Sequence, residues 1–160
     1  WLLASMGCQV LAVERHCVIA AMLHDTVRRA GVAQPETMAR FQLLHNNSLL
    51  LLKSTSSHNV TADGHLPAEC AGFLPPEVIY LDPMFPPGRK RVERKPLRVL
   101  RWLVGQDEDA SQLLKLALNV ARRRVVVKRP IKAMPLGGWK PTAIHKGKAL
   151  RYDVYSTQTR

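Results

Sequence analysis

The sequence predicts an α/β fold in which one domain is built on a doubly wound, mostly parallel sheet. The chain has 160 residues, which is enough to bury one sizeable core. Short continuous apolar runs, typical of buried strands, alternate with segments of helical periodicity. Several of these runs end in polar or proline-rich loops, and open α/β sheets bind their ligands at that edge.

The first elements are a helix, a strand and a second helix. Residues 4–7 end the first helix at a glycine suited to a left-handed cap. Residues 8–13 predict a strand that Glu14 closes. Residues 17–30 predict the next helix, with Gly31 as its end. The apolar side of this helix is predicted to contain Val18, Ala21, Met22 and Val27.

The middle of the chain predicts two short helices, one strand and a loop. Residues 35–40 indicate a helix and residues 41–45 a strand. The leucines at 49–52 begin another short helix. Residues 53–70 are rich in Ser, Thr, Asn, Gly and Pro, which predicts an exposed loop.

The strand predicted at 78–81 ends in a distinctive loop. It is a continuous apolar run, which suits a parallel sheet covered on both faces. Pro83 and Pro86 prevent the ladder from continuing, so the strand ends in a rigid loop that begins with Asp82. The alternative is a structural strand end whose aspartate caps the next segment.

The last part of the chain predicts two helices and three strands. The helix at 97–104 is followed by acidic capping groups at 107–109 and a helix to about Arg123. Val99, Leu100 and Leu103 are the predicted buried positions of the first of these helices. The remaining elements are a buried strand at 124–128 stopped by Pro130, a Pro/Gly loop at 132–141, and closing strands at 142–145 and 151–156.

The positive charge is confined to the second half of the chain. The net charge is +12, yet residues 1–87 contain 5 Lys/Arg against 7 Asp/Glu, whereas residues 88–160 contain 19 against 5. This asymmetry predicts a polyanionic partner that docks on the second half. The alternative is a solvated basic surface that keeps the protein soluble.

Cysteine and histidine usage favours a reduced, cytoplasmic protein without a metal. The three cysteines show no Cys-x-x-Cys pairing, and the six histidines lack metal-site spacing. Residues 1–13 are apolar but too short to span a bilayer, and they lack the basic leader of a signal peptide. The first residues already resemble the middle of a helix, so we expect a preceding amino-terminal part.

Polar side chains follow the first two predicted strands. The order helix, strand, acid, helix at the start of the chain corresponds to the second unit of a doubly wound sheet, so the strand at 8–13 would be the second strand of that sheet. An acid at the end of this strand can accept both ribose hydroxyls of a nucleoside cofactor. Nicotinamide dehydrogenases and adenosylmethionine enzymes share this device. Glu14 is the candidate, and its alternative role is a surface ion pair with Arg15. Asn47 and Ser48 would lie beside an adenine ring, or else act as caps or turns.

Asp82 suits chemistry at the exocyclic amine of a base. Such an amine is a poor nucleophile, because its lone pair is delocalised into the ring. A carboxylate and a backbone carbonyl that accept its two N–H groups would push the nitrogen toward pyramidal geometry. Asp82 would supply the carboxylate and Pro83 the carbonyl. Phe85 would stack on the extruded base, with plain core packing as its alternative.

Basic residues follow the same edge of the predicted sheet. Lys128 and Arg129 end the next strand, where they would hold a phosphate or the base, or else remain solvated. Trp139 would stack on a base or simply pack. The side chains expected to follow a nucleic-acid backbone are the cluster from Arg89 to Arg101 together with Lys140, Lys146 and Lys148.

Together these motifs resemble the bacterial small-subunit ribosomal RNA guanine-N2 methyltransferases of the RsmJ type. The specific pair is Tyr80-Leu81-Asp82-Pro83-Met84-Phe85-Pro86 with Arg124-Val125-Val126-Val127-Lys128-Arg129-Pro130. The other matching pieces, in family order over nearly the whole chain, are residues 3–8, Glu14-Arg15, residues 44–49, Lys146-Gly147 and residues 152–155.

The resemblance implies a Rossmann-like class I methyltransferase sheet with helices on both faces. It also implies transfer of a methyl group from S-adenosylmethionine to a guanine N2 of 16S ribosomal RNA, free or in the small ribosomal subunit. The sequence does not determine the oligomeric state, and a monomer is our expectation. The family's cofactor contacts fall on Glu14, Arg15, Asn47, Ser48 and Asp82. The predicted catalytic residues are Asp82, Pro83 and Phe85. The predicted RNA contacts are Arg89, Lys90, Arg91, Arg94, Lys95, Lys128, Arg129, Lys146 and Lys148.

Two departures from the family pattern affect these expectations. The family usually has two serines where this chain has Asn47-Ser48. The family's glycine-rich first motif and first strand would precede Trp1, so residues 1–160 are expected to be the carboxyl-terminal part of one domain, and to be inactive alone. The alternatives are an adenine-N6 or cytosine-N4 methyltransferase, a non-catalytic RNA-binding protein, and a nicotinamide dehydrogenase.

Overall fold

The computed structural model describes residues 1–56, 70, 73, 75–84, 95–105 and 107–157; of residues 56, 95–97 and 101 it describes the backbone alone. The chain divides into two units, Trp1–Leu74 and Pro75–Arg160. None of the helices in the described ranges is long and apolar enough to cross a membrane.

The first unit is a strand–helix–strand arrangement with short additional helices. Its elements are α1 (Leu2–Ser5), β1 (Val10–Glu14), α2 (Cys17–Ala33), α3 (Pro35–Met38), β2 (Phe41–His45) and α4 (Ser48–Ser56). Strands β1 and β2 pair in parallel from Val10 opposite Phe41 to Glu14 opposite His45. Parallel neighbours need a crossover connection, which α2 provides. The carboxyl ends of both strands therefore meet at one edge.

Helix α2 departs from its prediction in two ways. It continues through Gly31 to Ala33, so the predicted end at Gly31 is wrong. Gln34 ends the helix in a non-helical conformation (φ −143°, ψ 65°), as expected of a residue that precedes a proline. The predicted apolar side is also wrong, because Val18, Ala21 and Met22 are exposed and the buried residues are Ala20 and Ala30. Helical period alone did not identify the packed side.

The second unit contains a four-stranded mixed sheet. Its elements are β3 (Val78–Leu81), α5 (Lys95–Val104), α6 (Ala110–Val120), β4 (Arg124–Pro130), a 3₁₀ turn (Leu136–Gly138), β5 (Ala143–Lys146) and β6 (Leu150–Ser156). The strand order is β3-β4-β6-β5. Strand β3 runs parallel to β4, whereas β6 is antiparallel to both β4 and β5. The predicted strands are thus confirmed in type and order, with boundaries that shift by a few residues.

One face of this sheet is packed, whereas the other is exposed at β3. Val125 and Val127 are fully buried on the face against which α6 packs. On the opposite face, Val78 and Tyr80 are each 46% exposed. The prediction that the strand at 78–81 is covered on both faces is therefore wrong, although its bounds are confirmed.

Helix α5 is also less buried than its pattern suggested. Val99, a predicted core position, is 61% exposed, while Leu100 and Leu103 are half-buried. The loop predicted at 53–70 is shortened at its start, because α4 extends to Ser56. Residues 57–69 lie outside the described ranges.

The packing of α6 on β4 gives a first testable expectation. Leu114 is fully buried, so Leu114→Ala should lower the free energy of unfolding by about 2–5 kcal/mol through lost transfer energy and a residual cavity. The exposed Val99→Ala is the control and should change it by less than about 0.5 kcal/mol. Urea unfolding of the full-length protein measures both; equal shifts would contradict the packing described.

Candidate functional site

Asp82 is the first residue after β3 and forms an ion pair with Lys128. The strand register sets Leu81 opposite Val127, so the next residue of each strand also meets its counterpart. Lys128 Nζ donates a hydrogen bond to Asp82 Oδ2 at 2.7 Å. Both side chains remain partly exposed. The pair fixes one carboxylate oxygen at the carboxyl edge of the sheet and leaves the group accessible.

The loop after Asp82 is held by a residue that the sequence assigned another role. The backbone N–H of Met84 donates to Asp107 Oδ2 at 2.7 Å. Asp107 was predicted to supply a capping group for the following helix, and its carboxylate restrains the Asp82-Pro83-Met84 segment. The two partners are 23 residues apart, and no local pattern in the sequence signals the contact.

Tyr80 extends the site along the same face of β3. Side chains two residues apart on a strand share a face, so Tyr80 and Asp82 are neighbours. Burial, the Asp82 carboxylate and Tyr152 together raise the pKa of Tyr80 to about 12. The phenol is therefore neutral at physiological pH and remains a hydrogen-bond donor beside the carboxylate.

In the first unit, Glu14 ends β1 and turns its carboxylate toward the start of α2. Glu14 Oε1 accepts a hydrogen bond from the backbone N–H of His16 at 2.7 Å. The backbone N–H of Asn46 donates to the Glu14 carbonyl at 3.0 Å. These contacts bring the ends of β1 and β2 together and orient one carboxylate oxygen. The second oxygen of Glu14 has the chemistry to accept ribose hydroxyls.

Asn47 acts as a cap for α4. Its Oδ1 accepts the backbone N–H of Leu49 at 2.9 Å, and Asn46 Oδ1 accepts the backbone N–H of Asn47 at 2.7 Å. The helix then begins at Ser48. The capping alternative is thus the role that the structure describes for the Asn47 oxygen. The amide nitrogen of Asn47 is not used by this cap and is chemically suited to donate to an adenine ring.

The predicted basic residues have different environments. Lys146 and Lys148 are exposed, in β5 and in the turn after it. Arg129 is half-buried and donates to the backbone carbonyl of Met134, so it faces a protein loop. Arg15 is exposed at the end of β1. Phe85 and the cluster Arg89, Lys90, Arg91 and Arg94 lie outside the described residues, and only the backbone of Lys95 is described, at the start of α5.

Comparison with known proteins places this geometry in a family. The family described as "Putative SAM-dependent methyltransferase" matches residues 1–157. The chain is 44% identical, over 98% of its length and 57% of the relative, to ribosomal RNA small subunit methyltransferase J of Thioalkalivibrio sulfidiphilus. It is 43% identical, over 97% of its length and 54% of the relative, to the protein of the same name from Pseudomonas aeruginosa.

A solved structure gives the same result. The chain superposes with a TM-score of 0.69 and 32% identity on the crystal structure of a SAM-dependent methyltransferase from Neisseria gonorrhoeae, covering 99% of this chain and 57% of that one. The chain thus spans little more than half the length of the relatives it matches. The strand order, the residues that follow β3 and these matches agree: the chain belongs to the SAM-dependent methyltransferase family, the family of the RsmJ-type proteins to which it is similar.

Proposed function

We propose that the chain is the carboxyl-terminal part of a single methyltransferase domain that methylates the exocyclic N2 amine of a guanine in 16S ribosomal RNA. The observation that carries the proposal is the restrained carboxylate at the end of β3. Asp82 is paired with Lys128, and its loop is tied to Asp107 through Met84. The names of the relatives support ribosomal RNA as the substrate.

The chemical role of Asp82 follows from what the amine nitrogen needs. Its lone pair becomes nucleophilic when both N–H groups are held by acceptors outside the ring plane. Lys128 engages Oδ2, so Oδ1 is the acceptor for one N–H, and the Pro83 carbonyl is the acceptor for the other. Fixed acceptors avoid reorganisation as charge develops on the nitrogen. Phe85 would stack on the extruded base.

The methyl donor is S-adenosylmethionine, and the first unit supplies residues that fit its nucleoside part. Glu14 is oriented by the His16 amide and offers a carboxylate to the ribose hydroxyls. The Asn47 amide nitrogen and the Ser48 hydroxyl suit the adenine ring. Arg15, exposed beside Glu14, completes the proposed contacts. The sulfonium of the bound cofactor supplies the methyl group.

The partner is ribosomal RNA, free or within the small ribosomal subunit. The excess of Lys/Arg in residues 88–160 supports this, because phosphate contacts dominate affinity for nucleic acids. Lys146 and Lys148 are exposed lysines suited to these contacts. The protein is proposed to act as a cytoplasmic monomer, without a membrane or a metal ion.

Removing the carboxylate should slow methyl transfer strongly. In the full-length protein, Asp82→Ala should lower kcat about 10²- to 10³-fold, the cost typical of one lost oriented group in a transition state. The matched control is Glu77→Gln, an exposed acid just before β3 that should leave kcat unchanged. Transfer of labelled methyl groups to 16S RNA measures the rate.

The modified nucleoside identifies the reaction. Mass spectrometry of digested RNA should show N2-methylguanosine. N6-methyladenosine or N4-methylcytidine in its place would assign the same loop to another exocyclic amine. Full activity of Asp82→Ala would refute the proposed chemistry, whereas salt-dependent RNA binding without methyl transfer by the unsubstituted protein would favour a protein that only binds RNA.

The Met84–Asp107 contact should matter for rate and not for RNA affinity. Asp107→Ala removes a charge-assisted hydrogen bond worth about 1.5–3 kcal/mol, which loosens the Asp82 loop. We expect kcat to fall about 10-fold or more while the Kd for RNA stays within about twofold. The exposed neighbour Glu108→Ala is the control, and an equal loss there would contradict the anchor role.

RNA binding should depend steeply on salt through the second half of the chain. Each phosphate contact to single-stranded RNA contributes about −0.7 to the slope of log K against log salt. The double variant Lys146→Ala/Lys148→Ala should therefore reduce the slope by about 1.4. The control is Arg28→Ala/Arg29→Ala, which also removes two positive charges. These arginines form ion pairs with Asp25, so the slope should stay unchanged. Fluorescence anisotropy across a salt series measures both.

A further inference from the structure

The loop that follows β4, residues 131–139, is fixed by side chains of the sheet beneath it. Arg151 Nη1 donates to the Ile131 carbonyl at 2.8 Å, and Arg129 donates to the Met134 carbonyl. The Tyr155 hydroxyl donates to the Trp139 carbonyl at 3.3 Å. The beginning, middle and end of the loop are therefore each held through a backbone oxygen.

A buried ion pair fixes one of these donors. Arg151 Nε and Nη2 contact the two carboxylate oxygens of Asp153 at 2.7 and 3.0 Å, and Asp153 is completely buried. The Asp153 carboxylate raises the pKa of Arg151. A buried pair of this kind is a weak source of net stability, because desolvation offsets the attraction. Its clearest effect here is to orient the guanidinium that holds the loop.

The fixed loop presents apolar side chains to solvent. Met134 is 79% exposed and Trp139 is 47% exposed, whereas Leu136 is buried and anchors the loop from below. At Gly137, which has φ of +61°, an added Cβ would lie 3.1 Å from Trp139 Cδ1. The indole therefore rests against the glycine backbone, which limits its orientation and leaves part of the ring open.

The chain segment that contains the loop carries almost only positive charge. Residues 124–157 contain eight Lys/Arg and one acid, and that acid is the buried Asp153. Lys132 and Lys140 flank the exposed Met134 and Trp139, and both lysines are exposed. An aromatic ring between exposed cations is suited to a nucleotide, which offers a π-face and a phosphate.

The loop also begins close to the proposed catalytic carboxylate. Strand β4 carries Lys128, the partner of Asp82, and ends two residues later at Pro130. At about 3.3 Å per residue, the loop starts roughly 7 Å along the strand from that ion pair, and the side chains that hold it, Arg129, Arg151 and Tyr155, lie on the other face of the sheet from Lys128.

We propose that residues 131–139 form a preordered seat for an unpaired nucleotide that flanks the target base in the RNA. Trp139 stacks on the flanking base, and Lys132 and Lys140 contact its phosphates. Arg129, Arg151, Asp153 and Tyr155 are positioning residues, which act through the loop backbone. This inference rests on the proposed function and adds the contact that would select the RNA sequence or conformation beside the target.

The stacking contact is tested with the full-length protein and a single-stranded oligoribonucleotide that contains the target guanine and its neighbours. Trp139→Ala should weaken binding roughly 5- to 150-fold, the range for one base–aromatic stack. Trp1→Ala is the matched control, because Trp1 is also 47% exposed, and it should leave the Kd unchanged. Trp139→Phe should retain most of the affinity.

The positioning role is tested with Tyr155→Phe, which keeps the buried ring and removes the hydroxyl that bonds to Trp139. We expect RNA affinity to fall several-fold. In the double variant Tyr155→Phe/Trp139→Ala the two losses should not add, because the hydroxyl acts through the loop that carries the indole. A purely structural tyrosine would give additive losses.

The outcomes separate this inference from the proposed function. If the unsubstituted chain binds RNA and Trp139→Ala changes affinity no more than Trp1→Ala, the seat is refuted and the methyltransferase proposal stands. If Trp139→Ala weakens binding to a perfect duplex equally, stacking on an unpaired base is refuted. If the unsubstituted chain shows no salt-dependent RNA binding, the RNA partner itself fails and the inference fails with it.

Discussion

The parallel register between β3 and β4 is the constraint on which the rest of the site depends. It sets the residue after Leu81 opposite the residue after Val127, and so makes an ion pair of Asp82 and Lys128. Side chains alternate between the faces of a strand, so a one-residue shift of β4 would turn Lys128 to the packed face and away from Asp82. The buried valines of β4 oppose that shift, because they too would change face. Core packing therefore specifies the chemistry at the edge.

The sequence predicted most of the elements because their signals are local. The strand at 41–45 and the strand at 78–81 have the predicted bounds, since short apolar runs bounded by polar or proline residues leave little choice of start and end. The wrong predictions concern which side of a helix packs against the rest of the fold. Nothing in the period of α2 or α5 shows which side meets another element, and so Met22 and Val99 were assigned to a core in which they do not lie.

The same distinction applies to the candidate site. Asp82 and Glu14 could be selected because each ends a strand, and the end of a strand is visible in the sequence. The contacts that orient them were not visible. The Asp107 carboxylate reaches Met84 across 23 residues, and Arg151 reaches Ile131 across 20. Such contacts depend on the path of the whole chain. The residue type by itself is therefore compatible with several roles. Asn47 illustrates this, because its oxygen caps a helix while its nitrogen keeps the chemistry of a ligand contact.

Asp107 also couples the start of α6 to the loop that carries Asp82. It stands three residues before α6, whose buried side packs on β4, and its carboxylate holds the loop that carries Asp82. Any tilt or fraying of the first turn of α6 is thereby transmitted to the loop that carries Asp82. Local unfolding of this helix end would release the loop that carries Asp82 at a lower temperature than the sheet unfolds. Thermal inactivation and thermal unfolding of the second unit are therefore expected to have different midpoint temperatures.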